Sequence, residues 1–339
     1  MPAEWEPHVA TWLAWPHRDS DWPGKFEVIP WVYAEIVRLL SRHETVNLLV
    51  AVVGMESAAR AVLEPAGADM ANVRFHGLAT DRSWMRDSGP IFVTGPKGKG
   101  VLDFHFNAWA KYPDWTKDDL VPEYAAQTLG LDRWQPTHRG RRVVLEGGSI
   151  DVNGQGLLLT TEECLLSTQQ ERNPGFNRED YERVFADYLG VKQVLWLNRG
   201  IVGDDTHGHV DDLARFVNER TIVTVVENDS ADENHAALRE NLERLQGMKG
   251  LAGESFEVVP LPMPRPVWFD GVRLPASYAN FYIANGIVIV PTFNDPADRI
   301  ALGTLAELFP TREVVGVHCT DLVWGLGTLH CMTQQEPAA

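Results

Sequence analysis

The feature that most constrains the fold is a turn that recurs. Four stretches alternate apolar and polar residues at the strand period, and each is broken by a tight-turn signal. They are 89–106 about Gly95-Pro96-Lys97-Gly98, 147–161 about Asn153-Gly154, 213–227 about Asn218-Glu219-Arg220, and 279–292 about Asn285-Gly286. Each reads as a β-hairpin. After the last three, helical segments follow over 177–189, 230–246 and 295–309, opened by polar or Pro-containing start signals, and then strands over 193–197, 256–260 and 313–317. Asn153, Asn218 and Asn285 lie 65 and 67 residues apart, and Gly95 precedes Asn153 by 58. A near-constant period predicts repeated units of two strands, a helix and a strand, none of which buries its apolar face alone.

The N-terminal end fits the same scheme, with a strand over 11–14, an amphipathic helix over 29–41 and a strand over 45–53, but it lacks a hairpin partner. A further helix over 56–66 leads to a segment ending near 73–78. The segment 328–332 is expected to supply the missing partner, closing a ring of five ββαβ units that leaves no free sheet edge. Length alone suggests two or three domains. No linker or composition shift marks a boundary, so the chain is read as one domain over 1–339.

Charge narrows the partners. With 47 acidic residues against 30 Lys and Arg, the net charge of −17 argues against nucleic acid, which needs clustered cations, and favours a small cationic or neutral partner. Cys164, Cys319 and Cys331 are too few and too odd in number for a disulfide framework, which points to a reducing compartment and a free thiol. The N-terminus has no basic, apolar leader, and nothing approaches the roughly 18 to 20 apolar residues of a membrane span. The expectation is a soluble, cytoplasmic protein; a homo-oligomer stays open.

Asp204-Asp205-Thr206-His207-Gly208-His209-Val210-Asp211-Asp212 is the densest run of titratable groups. It reads either as a functional cluster of mutually perturbing acids and imidazoles or as an acidic surface turn. His207 and His209, expected to alternate on one side of a strand, also suggest a zinc hydrolase, although no second His-rich motif supplies further ligands. Asp87, in Trp84-Met85-Arg86-Asp87-Ser88-Gly89-Pro90, is either half of a local ion pair or an inward carboxylate with Trp84 as a flat wall for a cation. Glu146 precedes Gly147-Gly148, where close approach of backbone and ligand is possible. Cys164 and Cys319 lie on apolar segments and read as buried hydrophobes, whereas Cys331 sits between Gly325-Leu326-Gly327 and Thr333-Gln334-Gln335.

Taken together, Trp84–Pro90, Leu145-Glu146-Gly147-Gly148, Gly208-His209-Val210-Asp211 and His330-Cys331-Met332-Thr333-Gln334-Gln335 resemble the agmatine deiminase family, as do Met1-Pro2-Ala3-Glu4-Trp5-Glu6-Pro7-His8, Trp12-Leu13-Ala14-Trp15-Pro16 and Phe106-Asn107-Ala108-Trp109. The resemblance implies a guanidine-modifying enzyme with the five-bladed α/β propeller, or pentein, fold of pseudo-fivefold symmetry. It implies Cys331 as nucleophile, His209 as general acid and base, Asp87 and Asp211 as carboxylates gripping the guanidinium, and Glu146 as support for the histidine and the substrate nitrogen. Trp84 and Trp109 would contact substrate, and Asp205 would meet the distal amine of agmatine. No metal or organic cofactor is implied.

Two departures flank this site: His207 stands where the family commonly has Asp, and Leu326 interrupts a Gly-Gly-Gly run. They bear on substrate preference or rate. Deimination of agmatine to N-carbamoylputrescine is the leading expectation. Its rivals are a peptidyl-arginine deiminase, a metal-dependent amidohydrolase using His207 and His209, and a non-catalytic polyamine binder. The Trp-, Pro- and charge-rich segment 114–142 is read as a lid or a subunit contact.

Overall fold

The recurring asparagines do close turns, and they also tie the units together. In the computed structural model, which describes residues 1–338, Asn153 Oδ1 accepts from the N–H of Gln155 at 2.9 Å and of Leu157 at 3.0 Å. Asn218 Oδ1 accepts from Arg220 at 2.9 Å and Thr221 at 2.8 Å. These are side-chain mimics of a backbone turn. Asn153 Nδ2 also donates to Glu219 O at 3.1 Å, in the next turn. Asn285 spends its amide elsewhere, exchanging hydrogen bonds with the His8 backbone at 3.0 and 2.8 Å.

Five sheets of three or four strands share one pattern. An antiparallel pair is followed, through a helical crossover, by a parallel third strand. Ile91–Gly95, Gly98–Leu102 and Asp132–Trp134 form one. Asp151–Val152, Leu157–Thr161 and Gln193–Leu197 form the next. Ala214–Phe216, Thr221–Val226 and Glu257–Pro262 follow, then Tyr282–Ala284, Ile287–Thr292 and Glu313–His318. The N-terminal sheet places Gln334–Pro337 antiparallel to His8–Ala14, with Thr45–Val50 and Val73–Gly77 added in parallel. Crossover helices start where the sequence supplies caps. Asn177 with Asp180 and Asp295 with Asp298 form reciprocal capping boxes, and Pro30, Pro122 and Pro296 occupy first-turn positions that need no N–H.

Two expectations are corrected, and the segment 114–142 takes a place in the fold. The hairpin partner of the N-terminal sheet is Gln334–Pro337, while Leu329–Met332 is a helical turn, because Thr328 Oγ1 and the His330 N–H are both drawn to Asn280 Oδ1 instead of a ladder. The segment 114–142 supplies the crossover Val121–Leu129 and third strand of the Gly98–Leu102 sheet. That strand, Asp132–Trp134, is three exposed residues long and carries no alternation to read. It is held by Trp134, whose ring lies where a Cβ on Gly100 would be 2.3 Å away. Finally, the middle strands Leu157–Thr161, Thr221–Val226 and Ile287–Thr292 are buried on both faces instead of alternating, as parallel strands under crossover helices are.

Apolar side chains join neighbouring sheets. Trp12, Leu49, Phe92 and Val101 pack between the first two, and Leu102, Val152, Leu158 and Tyr181 between the second and third. A larger cluster running through Leu48, Leu195, Val223 and Val288 unites the rest. The interior also holds an ionic knot. Buried Glu4 meets Arg215 at 2.8 Å, Arg86 at 3.1 Å and His330 at 2.8 Å, and Arg215 meets Asp151 at 2.8 Å. No helix among the described residues is long and apolar enough to cross a membrane.

Candidate active site

The repeat places one irregular turn just before the first strand of each antiparallel pair, and these turns converge. Asp87 lies in the helical turn Met85–Ser88 before Ile91–Gly95. Glu146 opens the Gly147–Ser149 turn before Asp151–Val152. His209 and Asp211 precede Ala214–Phe216, Asn280 precedes Tyr282–Ala284, and Cys331 precedes Gln334–Pro337. Each of the five sheets thus contributes a polar side chain within a few residues of a strand start.

Their meeting point leaves no room for another side chain. A Cβ on Gly148 would stand 2.6 Å from His209 Nδ1, 2.8 Å from Asp87 Oδ1 and 3.0 Å from Asp211 Oδ2. The Gly148 N–H instead donates to Asp87 Oδ1 at 3.0 Å, and Trp109 Nε1 donates to Asp87 Oδ2 at 2.9 Å. His209 Nδ1 is 3.8 Å from Asp87 Oδ1, and its Nε2 is 3.8 Å from Glu146 Oε2. Those are electrostatic contacts longer than a hydrogen bond, so both ring nitrogens and Glu146 Oε2 are buried without a hydrogen-bond partner. Glu146 Oε1 is held by Arg172 at 3.0 Å. Cys331 Sγ is 3.7 Å from Asp211 Oδ2 and receives Asn280 Nδ2 at 3.1 Å.

Asp87 and Cys331 face a cavity of about 250 Å³ whose walls include Trp84, Trp109, Tyr112, Asp205 and Leu326, while His209, Glu146 and Asp211 lie buried behind them. Trp109 is presented by three consecutive left-handed residues, Ala108 (φ 50°), Trp109 (59°) and Ala110 (52°). At roughly 1 kcal/mol or more apiece, such residues persist only where the surroundings impose them. Here Asn107 Oδ1 accepts from Ala110 N at 2.9 Å, and Gln170 Nε2 donates to Trp109 O at 3.1 Å.

Burial and proximity spread the proton affinities. Burial raises the Asp87 carboxyl, as do Asp211 and Glu146, and His209 only partly offsets them, leaving it at about 6. Burial acts on Glu146 in the same sense, but Arg172 and His209 hold it down at about 2. Burial opposes charging His209, yet Asp87, with Cys164 and Glu146 behind, holds its affinity well above the ordinary imidazole value. Burial, then Asp211, Asp212 and Asp87, push the Cys331 thiol far up. Against burial, His330 keeps Asp211 low, whereas burial and Asp211 drive Asp212 well up. The arrangement therefore offers an imidazolium, a neutral thiol and carboxylates spaced around a cation-sized cavity.

Cys331, His209, Asp87, Asp211 and Glu146 are all brought together, with Trp84 and Trp109 on the walls. Asp205 lines the cavity with its carboxylate already engaged by Lys111 and, at 2.7 Å, by Tyr112 Oη. The zinc-type pairing of His207 with His209 does not form. The run lies in a turn, not a strand, and His207, at φ 67°, directs Nε2 to Ser167 Oγ at 3.0 Å beside a separate surface cavity. Leu326, at φ 69°, does face the site cavity. Sequence reasoning passed over Asn280, Arg172, Glu4 and His330. Asn280 was findable, since the repeat puts it where Asp87 and Glu146 stand in their own units.

The chain is similar to known proteins along its whole length. The model of the Porphyromonas-type peptidyl-arginine deiminase family matches residues 1–337. Agmatine deiminase of Pseudomonas aeruginosa is 37% identical, with all of this chain and 95% of that protein covered. Agmatine deiminase of Enterococcus faecalis superposes with a TM-score of 0.90 at 32% identity, covering 99% of this chain and 95% of that one. A cysteine-to-serine variant of the C. jejuni agmatine deiminase, solved with substrate bound, gives 0.87 at 31% identity over the same shares. This chain belongs to the Porphyromonas-type peptidyl-arginine deiminase family, on its agmatine deiminase branch.

Proposed function

We propose that this protein hydrolyses agmatine to N-carbamoylputrescine and ammonia through an amidino-cysteine intermediate. The observation that carries the reading is the convergence of Asp87, Asp211 and His209 around Gly148, with Cys331 beside Asp211 and facing the cavity with Asp87, together with likeness to agmatine deiminases along the whole chain. The variant of the C. jejuni relative that holds substrate lacks a cysteine, which accords with a thiol mechanism.

In this reading Asp87 and Asp211 fork the planar guanidinium, with Trp84 and Trp109 walling it. The cation offsets the carboxylates that keep Cys331 neutral, and the thiol proton leaves by way of Asp211 Oδ2. Sulfur bonds to the guanidinium carbon. His209 gives its proton to the departing nitrogen, ammonia leaves, and the amidino-cysteine remains. Neutral His209, steadied by Glu146, then takes one proton from water as its oxygen replaces sulfur on the carbon; sulfur recovers the proton held at Asp211, and the second water proton leaves with ammonia as ammonium, freeing the urea and the thiol. At the far end, the substrate ammonium displaces half-exposed Lys111 from Asp205.

The five sheets are read as five blades of one α/β propeller with pseudo-fivefold symmetry, forming a single domain over 1–339 in the cytoplasm. The shared strand pattern and the equivalent turns support the blades. The test is to incubate purified protein with agmatine, arginine and a C-terminal arginine peptide, assay ureido product, and acid-quench for mass spectrometry of a Cys331 adduct. The expected result is product and adduct from agmatine above the other two. Absence of turnover on agmatine overturns the reading.

A further inference from the structure

Cys164 is a buried thiol that touches no reacting atom in the steps above. Cys164 lies at the start of the short helix Glu162–Leu166, where its N–H is held by Thr161 Oγ1 at 3.0 Å, and Thr161 Oγ1 in turn donates to Gly208 O. This fixes it against His209. Ligand atoms of Glu146, Cys164 and His209 all lie within 4.8 Å of one another, the one such buried triple among the described residues. Two of the three also carry buried atoms with no partner, Glu146 Oε2 and the ring nitrogens of His209.

We propose that Glu146, Cys164 and His209 form a site for a thiophilic divalent cation of the zinc type, and that the cation silences the enzyme by taking the lone pair of its acid–base histidine. The donor set argues the class. Thiolate with imidazole and one carboxylate suits zinc or cadmium and not magnesium or calcium. The spacing fits as well. His209 Nε2 and Glu146 Oε2, 3.8 Å apart, need only a small inward shift to reach the roughly 3.3 Å edge of a tetrahedral zinc shell. Arg172 anchors Glu146 through Oε1 and leaves Oε2 free to ligate. Thiolate and carboxylate together balance the added charge, and three protein ligands leave one tetrahedral position open. Binding displaces one proton from the thiol and one from His209. The inhibitory half rests on the role given to His209 under Proposed function; the binding half does not.

The experiment separates the two halves. Cobalt(II) is titrated into the full-length Cys331→Ala protein, and thiolate-to-cobalt charge-transfer absorption is followed. One equivalent with that band is expected, and adding Cys164→Ser or Cys164→Ala is expected to remove it and weaken binding by about 100-fold or more. A band lost already in Cys331→Ala, or retained without the Cys164 thiol, overturns the site. In parallel, zinc is titrated against agmatine turnover of the wild type and of Cys164→Ala, each normalised to its own metal-free rate. Inhibition reversed by chelator is expected, with a half-inhibiting concentration at least tenfold higher in Cys164→Ala. Equal sensitivity of the two overturns the inhibitory claim. Absence of agmatine turnover in the metal-free wild type sinks the proposed reaction and leaves the cobalt band standing.

Discussion

Two clusters of buried charge meet at Asp211 and His330, and they are satisfied to opposite degrees. On the side of the N-terminus, both oxygens of Glu4 are filled, Oε1 by Arg215 and the Ile283 N–H, Oε2 by Arg86 and His330. On the cavity side, Asp211 Oδ1, Glu146 Oε2 and the His209 nitrogens have no partner. Orphaned buried polar atoms cost about 1–3 kcal/mol each. A fold that completes one cluster so fully and leaves its neighbour open reserves the second for something that arrives later.

Breaking each side separates the two. Cys331→Ser is expected to lower turnover by about 10⁴-fold or more while leaving the melting temperature and agmatine binding nearly intact; retained turnover, read as ammonia release, defeats the assignment. Glu4→Ala is expected to cost about 3–5 kcal/mol in denaturant unfolding, since it takes from buried Arg86 its only carboxylate and leaves buried Arg215 with Asp151 alone. Asp87→Asn should cost less than about 1 kcal/mol at neutral pH, because an ionised carboxylate raised by burial is itself a strain on the ligand-free fold. Equal losses from these two variants erase the distinction drawn above.

The acid limb of catalysis sharpens it further. Asp87 must be ionised to hold a cation, so kcat/KM should fall about tenfold per pH unit below about 6, and a limb near the ordinary Asp value removes Asp87 as its cause. The sign for stability is opposite. A carboxyl whose affinity rises on folding, from 3.8 to about 6, favours the fold below its unfolded value and loses that contribution as pH climbs through 6. Melting of the ligand-free protein across pH 4–7 checks this against Asp87→Asn. The smallest effect is expected at the cavity wall. Leu326→Gly should relieve the left-handed backbone for a gain of up to about 1 kcal/mol and shift KM for agmatine a few-fold, with kcat little changed.

How legible all this was in the sequence depends on periodicity. Hairpins with Asn turns and capped crossover helices announce themselves through local chemistry, which is why the units could be placed by turn spacing. The second unit's Asp132–Trp134 strand is short and exposed, so neither alternation nor burial marks it. The residues of segment 328–332 suit a strand, but the pull of Asn280 is a contact across 48 to 50 residues that no local pattern encodes. The site's principal residues were visible as dense or glycine-flanked motifs. Glu4 and Arg172 were not, because an ion pair buried by the meeting of distant units looks like any surface charge in the sequence.

The reach of Glu4 sets the order in which the protein can become active. Its partners Arg215 and His330 lie 211 and 326 residues further along, and Gln334–Pro337 completes the sheet of His8–Ala14. Contacts of such separation form late and slowly. Synthesis therefore makes Asp87, Glu146 and His209 well before Cys331, which stands three residues ahead of the strand that pairs with His8–Ala14. The ring is therefore completed by its two ends, and a chain cut before residue 331 lacks both Cys331 and the strand that closes the N-terminal sheet.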